Sequence, residues 1–223
     1  NLIDRANQWL YSQPTWESKT CESVEFKSYA GQMIQNEKMV YYERGEHRTW
    51  FVRGLRLWIV PRADPSRPPQ QLGYVNLVPE TTGTSGFWGF PTFETLSCLL
   101  ARFNSSSHTN PLPGRILTVE CQEMKISDFS NFDPDRSFWS EHGDRQRHFL
   151  FVIRVFYEHG LPSVEDIGLA DFVPAALSEG GFFSFPIFEP YSNVITKASQ
   201  WCAQQVGLRF CNAQSIEVKM KNG

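Results

Sequence analysis

The sequence has 223 residues, of which 41% are hydrophobic and 14% aromatic, enough for one large core or two small ones. Its formal net charge is -3, with both signs interspersed and no basic patch or tail, so we expect no nucleic-acid partner. No apolar run approaches the roughly 18 residues that a membrane-spanning helix needs, so no span is predicted. The chain starts at Asn1 without an initiator methionine, so we expect a mature form or a segment of a longer chain.

The first half of the chain predicts a helix followed by four antiparallel strands. The predicted elements are a helix over 1–11, a strand near 22–28, hairpin strands over 38–43 and 47–60, and a strand over 72–79. Four prolines make 61–71 an exposed loop, and 81–86 has the composition of a flexible turn. Pro91 suits the first turn of a helix that runs to about residue 104, where Glu94 would favour its N-terminal dipole.

The second half of the chain predicts the same order of elements after a polar linker over 104–113. These elements are a strand near 116–126, a hairpin over 136–158, a strand over 166–174, a glycine turn at 179–181, and a helix over 187–204. One more strand is predicted near 210–220, and it would be left over after the second sheet is complete.

The chain also aligns with itself without gaps in three places. Residues 22–61 align on 120–159 at an offset of 98, and residues 72–94 align on 167–189 at an offset of 95. Residues 1–27 align on 193–219, which begins a third copy. Matches in the same order at a nearly fixed period are typical of duplicated modules.

The sequence therefore predicts an α+β fold made by internal tandem duplication of a helix plus a four-stranded antiparallel sheet. The first unit would cover 1–105, and the second would cover 106–223 with the extra C-terminal helix and strand. In its order of elements, this arrangement resembles tandem cystatin-like modules such as those of the latexin type. The stretch Gln204–Gly207 departs from the spacing of the cystatin Q-x-V-x-G pattern, so the resemblance concerns topology alone.

Five cysteines are present, and none recurs at an aligned position, as a disulfide framework inherited by duplication should. No C-x-x-C pair or His/Cys metal spacing occurs either. We therefore expect mostly free thiols in a reducing compartment, and a cytoplasmic location.

An arginine on an aromatic strand face is the first candidate for a binding site. Strand 47–60 alternates, so Trp50, Arg56 and Trp58 share a face, as do His148, Arg154 and Phe156 in the copy. Each arginine needs a partner if it is buried, and Glu25 and Glu123 are the natural candidates. The arrangement is either an aromatic and arginine face that binds a partner, or a paired core charge where the units meet.

The aromatic stretch 87–93 and its copy 182–188 form the second candidate. So many aromatic residues ahead of a helix either anchor that helix to the sheet or expose a hot spot for a partner, with Trp88 the foremost member.

The sequence shows no candidate for catalysis, metal binding or a cofactor. The carboxylates of 43–46 and 141–144 lie at predicted hairpin tips, where turn chemistry explains them. The histidines do not cluster with acids at metal spacing, and no nucleophile motif is present.

The preferred hypothesis is a non-enzymatic module that binds a protein partner or itself through the aromatic and arginine sheet face or through an edge strand. Its predicted contact residues are Trp50, Arg56, Trp58, Trp88, His148, Arg154 and Phe156. Two alternatives remain open: a protein with a pocket for a small apolar ligand between helix and sheet, and an enzyme with its site where the units meet.

Overall fold

The computed structural model describes residues 1–29, 34, 37, 49–85, 90–126, 132–141, 148–179 and 185–217. The helices are α1 (Leu2–Ser12), α2 (Leu96–Thr109) and α3 (Tyr191–Gln204). The strands are β1 (Trp16–Tyr29), β2 (Thr49–Pro61), β3 (Leu72–Leu77), β4 (Thr81–Ser85), β5 (Phe90–Phe93), β6 (Leu112–Ile126), β7 (Phe138–Glu141), β8 (His148–Ser163), β9 (Ala176–Ser178) and β10 (Ile187–Phe188). The strands pair antiparallel, which confirms the predicted α+β class. No described helix is both long and apolar enough to cross a membrane.

The described chain forms two compact units. The first unit contains Asn1–Asp166 and Asn212–Gly223, and the second contains Ile167–Cys211. The predicted boundary between 105 and 106 falls inside α2, which continues to Thr109. The serine and threonine side chains of the predicted linker are compatible with this helix, because Ser107 and Thr109 donate hydrogen bonds to carbonyl oxygens of the preceding turn.

The first helix forms where it is predicted. The Asn1 side chain accepts a hydrogen bond from the Asp4 amide at 3.0 Å, and the Asp4 carboxylate accepts one from the Asn1 nitrogen. This capping box begins α1 and satisfies its first amide groups. The helix then buries Ile3 and Leu10 in the main core of the first unit.

Two three-stranded sheets make up most of the first unit. In one sheet the order is β1-β2-β7, and in the other it is β3-β8-β6. The β1/β2 and β6/β8 pairs have the same register at an offset of 98, since Glu22 faces Arg56 and Glu120 faces Arg154. Both pairs also shift register at corresponding places, before Thr20 in β1 and before Thr118 in β6.

The strands from the two halves of the sequence interleave, which the sequence did not predict. β3 pairs with β8 instead of β2, and β7 pairs with β2 instead of forming a hairpin with β8. The predicted four-stranded sheets of cystatin-like order are therefore not found among the described strands. The predicted hairpin strand over 38–43 lies outside the described residues.

Several predicted boundaries were wrong. The turn predicted at 81–86 begins with β4, and Pro91 lies in β5, because these two segments pair with each other. The helix begins later, at Leu96, where the Thr95 side chain accepts a hydrogen bond from the Cys98 amide at 3.3 Å. The strand predicted over 166–174 is not formed, and no strand occurs in the described residues 205–217.

The core of the first unit lies where α1 meets strands of both sheets. Its buried cluster contains Ile3, Leu10, Cys21, Leu72, Leu117 and Phe156. Leu55, Leu57 and Tyr74 pack against this cluster. Residues from both halves of the sequence thus share one core.

The second unit contains β9, β10 and α3, and its local geometry matches that of β4, β5 and α2. In the second unit, the Glu189 amide donates to the Ala175 carbonyl, and Lys197 pairs with Glu189 at 2.5 Å. In the first unit, at an offset of 95, the Glu94 amide donates to the Glu80 carbonyl, and Arg102 pairs with Glu94 at 2.5 Å. A strand pair is joined to the following helix by the same carboxylate in both places.

Candidate functional site

An exposed aromatic residue beside an arginine and a carboxylate lies on one face of β2. Trp58 is 54% exposed, and the Arg56 guanidinium lies 5.9 Å from the centre of its ring. Glu22, opposite Arg56 on β1, accepts hydrogen bonds from the Trp58 indole at 3.0 Å and from Arg56 Nη1 at 3.4 Å. We call Glu22, Arg56 and Trp58 the β2 surface.

The two corresponding residues on β8 are buried. Phe156 is 2% exposed and belongs to the main core, and Arg154 is 8% exposed. The Arg154 guanidinium donates to Asn76 Oδ1 at 2.8 Å, to Ser23 Oγ at 2.6 Å and to the Pro134 carbonyl at 2.8 Å. Arg154 and Phe156 therefore lie in the interior of the unit, and neither side chain is exposed to a protein partner in this fold.

The acidic partners of the two arginines differ from those predicted. The register brings Arg56 to Glu22 and Arg154 to Glu120, because those residues lie directly opposite across the strand pairs. Glu25 instead pairs with Arg53, with 3.6 Å between Oε2 and Nη2. Sequence reasoning chose acids three positions away, since nothing local reports the register of two long strands.

Glu120 is the most deeply buried carboxylate of this network. It is 4% exposed, lies 3.8 Å from Arg154 Nη1, and accepts hydrogen bonds from the amide and hydroxyl groups of Ser23. Burial raises the pKa of Glu120, while the hydrogen bonds from Ser23 and the charge of Arg154 oppose that rise. A charged pair in this position requires its full set of hydrogen bonds.

The remaining predicted contact residues have mixed environments. Trp50 is half-buried and meets Phe138 edge to face at 5.9 Å, and its buried indole nitrogen has no hydrogen-bond partner among the described atoms. His148 is also half-buried, at the start of β8. Trp88 lies outside the described residues, as does much of each predicted aromatic stretch. In the second stretch, Phe185 is largely exposed.

A cavity of about 220 Å³ lies in the first unit beside the buried arginines. Its walls come from α1, β1, β2, β3, β8 and the segment before β7. Arg53 and Arg154 both line it, and burial lowers the pKa of Arg53. The cavity is smaller than the roughly 300–1,000 Å³ of common small-molecule sites. No group of three potential metal-ligating side chains occurs among the described residues.

Sequence reasoning considered an edge strand but did not identify β2 as a strand with an edge that no described strand pairs. β7 covers β2 only from Thr49 to Val52, and the Arg53 amide donates to the Ser137 carbonyl at 2.7 Å. Beyond that point, β2 pairs with β1 on one side and with no described strand on the other. The sequence shows only that β2 is rich in strand-forming residues. It does not show which edge of β2 is paired, because the strands that pair with β2 lie far away in the chain.

Comparison of the sequence with models of known protein families and with curated proteins finds no match, and comparison of the fold with solved structures finds none either.

Proposed function

We propose that the chain is a non-enzymatic protein-interaction module, built by tandem duplication, that binds a protein partner through the β2 surface. The observation that carries this proposal is the contrast between Trp58, which is 54% exposed, and Phe156, its buried counterpart on β8. Tryptophan and arginine are both enriched among the residues that dominate protein interfaces. Glu22 fixes both side chains in place, so less conformational entropy is lost on binding.

Three recurrences support the duplication. The β1/β2 and β6/β8 pairs share a register, they shift it at corresponding positions, and the two strand-pair-to-helix units are joined by corresponding ion pairs. Corresponding strands nevertheless differ in their neighbours, since β3 covers one edge of β8. We therefore assign binding to β2, which no described strand covers on this edge beyond Arg53.

The proposed surface is narrower than the one predicted from the sequence. Arg154 and Phe156 are excluded because they are buried, and Trp50 and His148 are half-buried. The cavity argues against the alternative of a small apolar ligand, because two buried guanidinium groups would face that ligand.

Site-specific photo-cross-linking tests this proposal. A benzophenone amino acid in place of Trp58 should give covalent adducts with a protein, and the same probe in place of Tyr11, which is 70% exposed on α1, should not. Trp58→Ser should weaken the association that the adduct identifies by at least about tenfold. The matched control is Trp9→Ser, which removes another partly exposed tryptophan and should leave the association unchanged. Equal adducts from both probe positions would contradict the proposal.

A further inference from the structure

We propose that the partner of the β2 surface is a second copy of this chain, whose residues 167–172 add as a strand to the unpaired edge of β2 over residues 55–60. This inference rests on the proposed function and specifies its partner. An unpaired strand edge is a template for such additions, in which backbone hydrogen bonds provide affinity and side chains provide specificity.

The β3/β8 pair shows how the two segments would fit. β3 pairs with β8 from Leu72 opposite Glu158 to Leu77 opposite Ile153. Residues 55–60 correspond to 153–158 at the offset of 98, and residues 167–172 correspond to 72–77 at the offset of 95. The corresponding donor and acceptor are thus both present in the chain.

The donor segment lies in the second unit, where residues 168–171 are exposed. Residues 167–172 form no strand, and Leu169 is 57% exposed. Its counterpart on β3, Tyr74, is half-buried and packs against the main core. A Cβ added to Gly168 would meet no atom within 4 Å, so this backbone is open to an approaching strand.

Charge complementarity selects this pairing. Transferring the β3/β8 register places Asp171 opposite Arg56, where the template has Asn76 opposite Arg154. In the template, Arg154 Nε donates to Asn76 Oδ1 at 2.8 Å. In the transferred pair, a carboxylate replaces the amide, so both partners of the hydrogen bond would be ionised and the bond would be stronger.

The same register joins two exposed apolar side chains. It places Leu169 opposite Trp58, as Tyr74 lies opposite Phe156 in the template. Leu169 and Trp58 are 57% and 54% exposed, and pairing would bury both. Apolar burial and the charged pair would therefore act at neighbouring positions of one added strand.

The described part of each chain carries one such donor segment and one such acceptor edge, so two chains can exchange strands reciprocally. A reciprocal exchange gives a closed dimer, in which each donor segment is paired with the acceptor edge of the other chain. A one-way exchange would leave one donor and one acceptor unpaired, and further copies could then add to form an open filament. The reciprocal dimer is the arrangement we propose.

A charge-reversal and mixing experiment tests the pairing. Sedimentation velocity should show the wild-type chain as a dimer. Arg56→Asp alone and Asp171→Arg alone should each raise the dimer Kd by at least about tenfold, because each places like charges opposite one another. Mixing the two variants should restore dimers. In the mixed dimer, position 56 of each chain lies opposite a residue of opposite charge at position 171 of the other chain. Arg5→Asp and Glu179→Arg are charge-matched controls at exposed positions outside the junction, and both should dimerise like the wild type.

Leu169→Lys supplies a second test that does not depend on Arg56. Its side chain is exposed in the single chain, so the substitution should weaken the dimer and leave the melting temperature unchanged when both proteins are measured far below the dimer Kd, where both are monomers. A monomeric wild type, or a dimer that mixing does not restore, overturns the inference. If the wild type is monomeric while the probe at position 58 still cross-links to another protein, the proposed function stands and only the partner is wrong. If Trp58→Ser leaves all association intact, the proposed function itself fails.

Discussion

Thr20 and Thr118 meet hydroxyl to hydroxyl, with 2.5 Å between their Oγ1 atoms and 98 residues between them along the chain. Thr118 Oγ1 also accepts a hydrogen bond from the Cys21 amide, and Glu120 accepts one from the Ser23 amide. Side chains of β6 therefore satisfy amide groups of β1 that β2 does not reach. At these two positions, side chains take the place of a neighbouring strand.

Side chains from the C-terminal segment cover part of the edge of β6 in the same way. Asn212 exchanges two hydrogen bonds with the backbone of Val119, and Gln214 exchanges two with that of Cys121. A side-chain amide carries both a donor and an acceptor, so it can occupy the place of a neighbouring strand. These side-chain contacts protect parts of the edges of β1 and β6 against the addition of another strand.

The Arg154–Glu120 pair should show strong coupling. Arg154→Met leaves the buried Glu120 carboxylate without its cation, and we expect a loss of about 3–5 kcal/mol in the free energy of unfolding. Adding Glu120→Leu should recover part of that loss, because no buried charge then remains. Denaturant unfolding of the two single variants and the double variant measures the coupling.

The exposed counterpart of this arginine provides a control. Arg56→Met breaks a pair with Glu22 that faces solvent, and it should cost no more than about 1 kcal/mol. Equal losses for Arg56→Met and Arg154→Met, or strictly additive losses in the cycle, would contradict this account.

Glu120 should also make stability depend on pH in an unusual direction. Burial raises its pKa in the folded state above the usual value near 4.5, so the folded chain holds this proton more tightly than the unfolded chain does. The stabilisation is complete below the usual value and is lost as pH rises through the raised pKa. Glu120→Gln removes this dependence. The free energy of unfolding of the variant, relative to wild type, should therefore increase from about pH 4 to about pH 7.

Denaturant unfolding at several pH values checks this, because only the difference between the two proteins is used and other titrating groups cancel. Parallel profiles for wild type and Glu120→Gln would rule out a raised pKa.

Gln70 should be important for stability although it lies in a proline-rich loop. Its side chain accepts a hydrogen bond from the Ser18 amide at 2.7 Å and donates one to the Ser18 carbonyl at 3.1 Å, and both residues are buried. Gln70→Ala leaves both backbone groups unsatisfied, at about 1–3 kcal/mol for each. Gln71→Ala, at the exposed neighbouring position, should be close to neutral in the same denaturation experiment. Similar losses for the two variants would refute the role of this amide.

Cys21 should be the slowest cysteine to react. Burial raises the pKa of its thiol from 9.0 to about 11, so about a hundredfold less thiolate is present at neutral pH. Cys98 and Cys202 are exposed. Iodoacetamide labelling followed by peptide mass spectrometry should detect Cys98 and Cys202 first, and Cys21 only after unfolding. Early labelling of Cys21 in the folded chain would contradict its burial.

Local sequence patterns were sufficient for the long elements. The helical spacing of α1 and the alternation of β2 depend on neighbouring residues, and these elements form close to where they are predicted. β8 forms within the predicted range 136–158 but extends to Ser163, and β7 does not pair with it as a hairpin. Shorter elements were harder to predict, since residues 81–86 indicated a flexible turn and Pro91 indicated a helix start where the chain forms β4 and β5. There, pairing between the two segments outweighed the preference of single residues.

The sequence predicts where the arginines lie along β2 and β8. The tertiary structure decides that Arg56 is exposed and Arg154 is buried. Both occupy corresponding places in strand pairs of identical register. Only Arg154 has β3 beside it, with Asn76 to receive its hydrogen bond, and only Arg154 is buried. Strand pairing joins residues that are distant in the chain, so local periodicity specifies each strand while the neighbours available in the folded protein determine which face stays open.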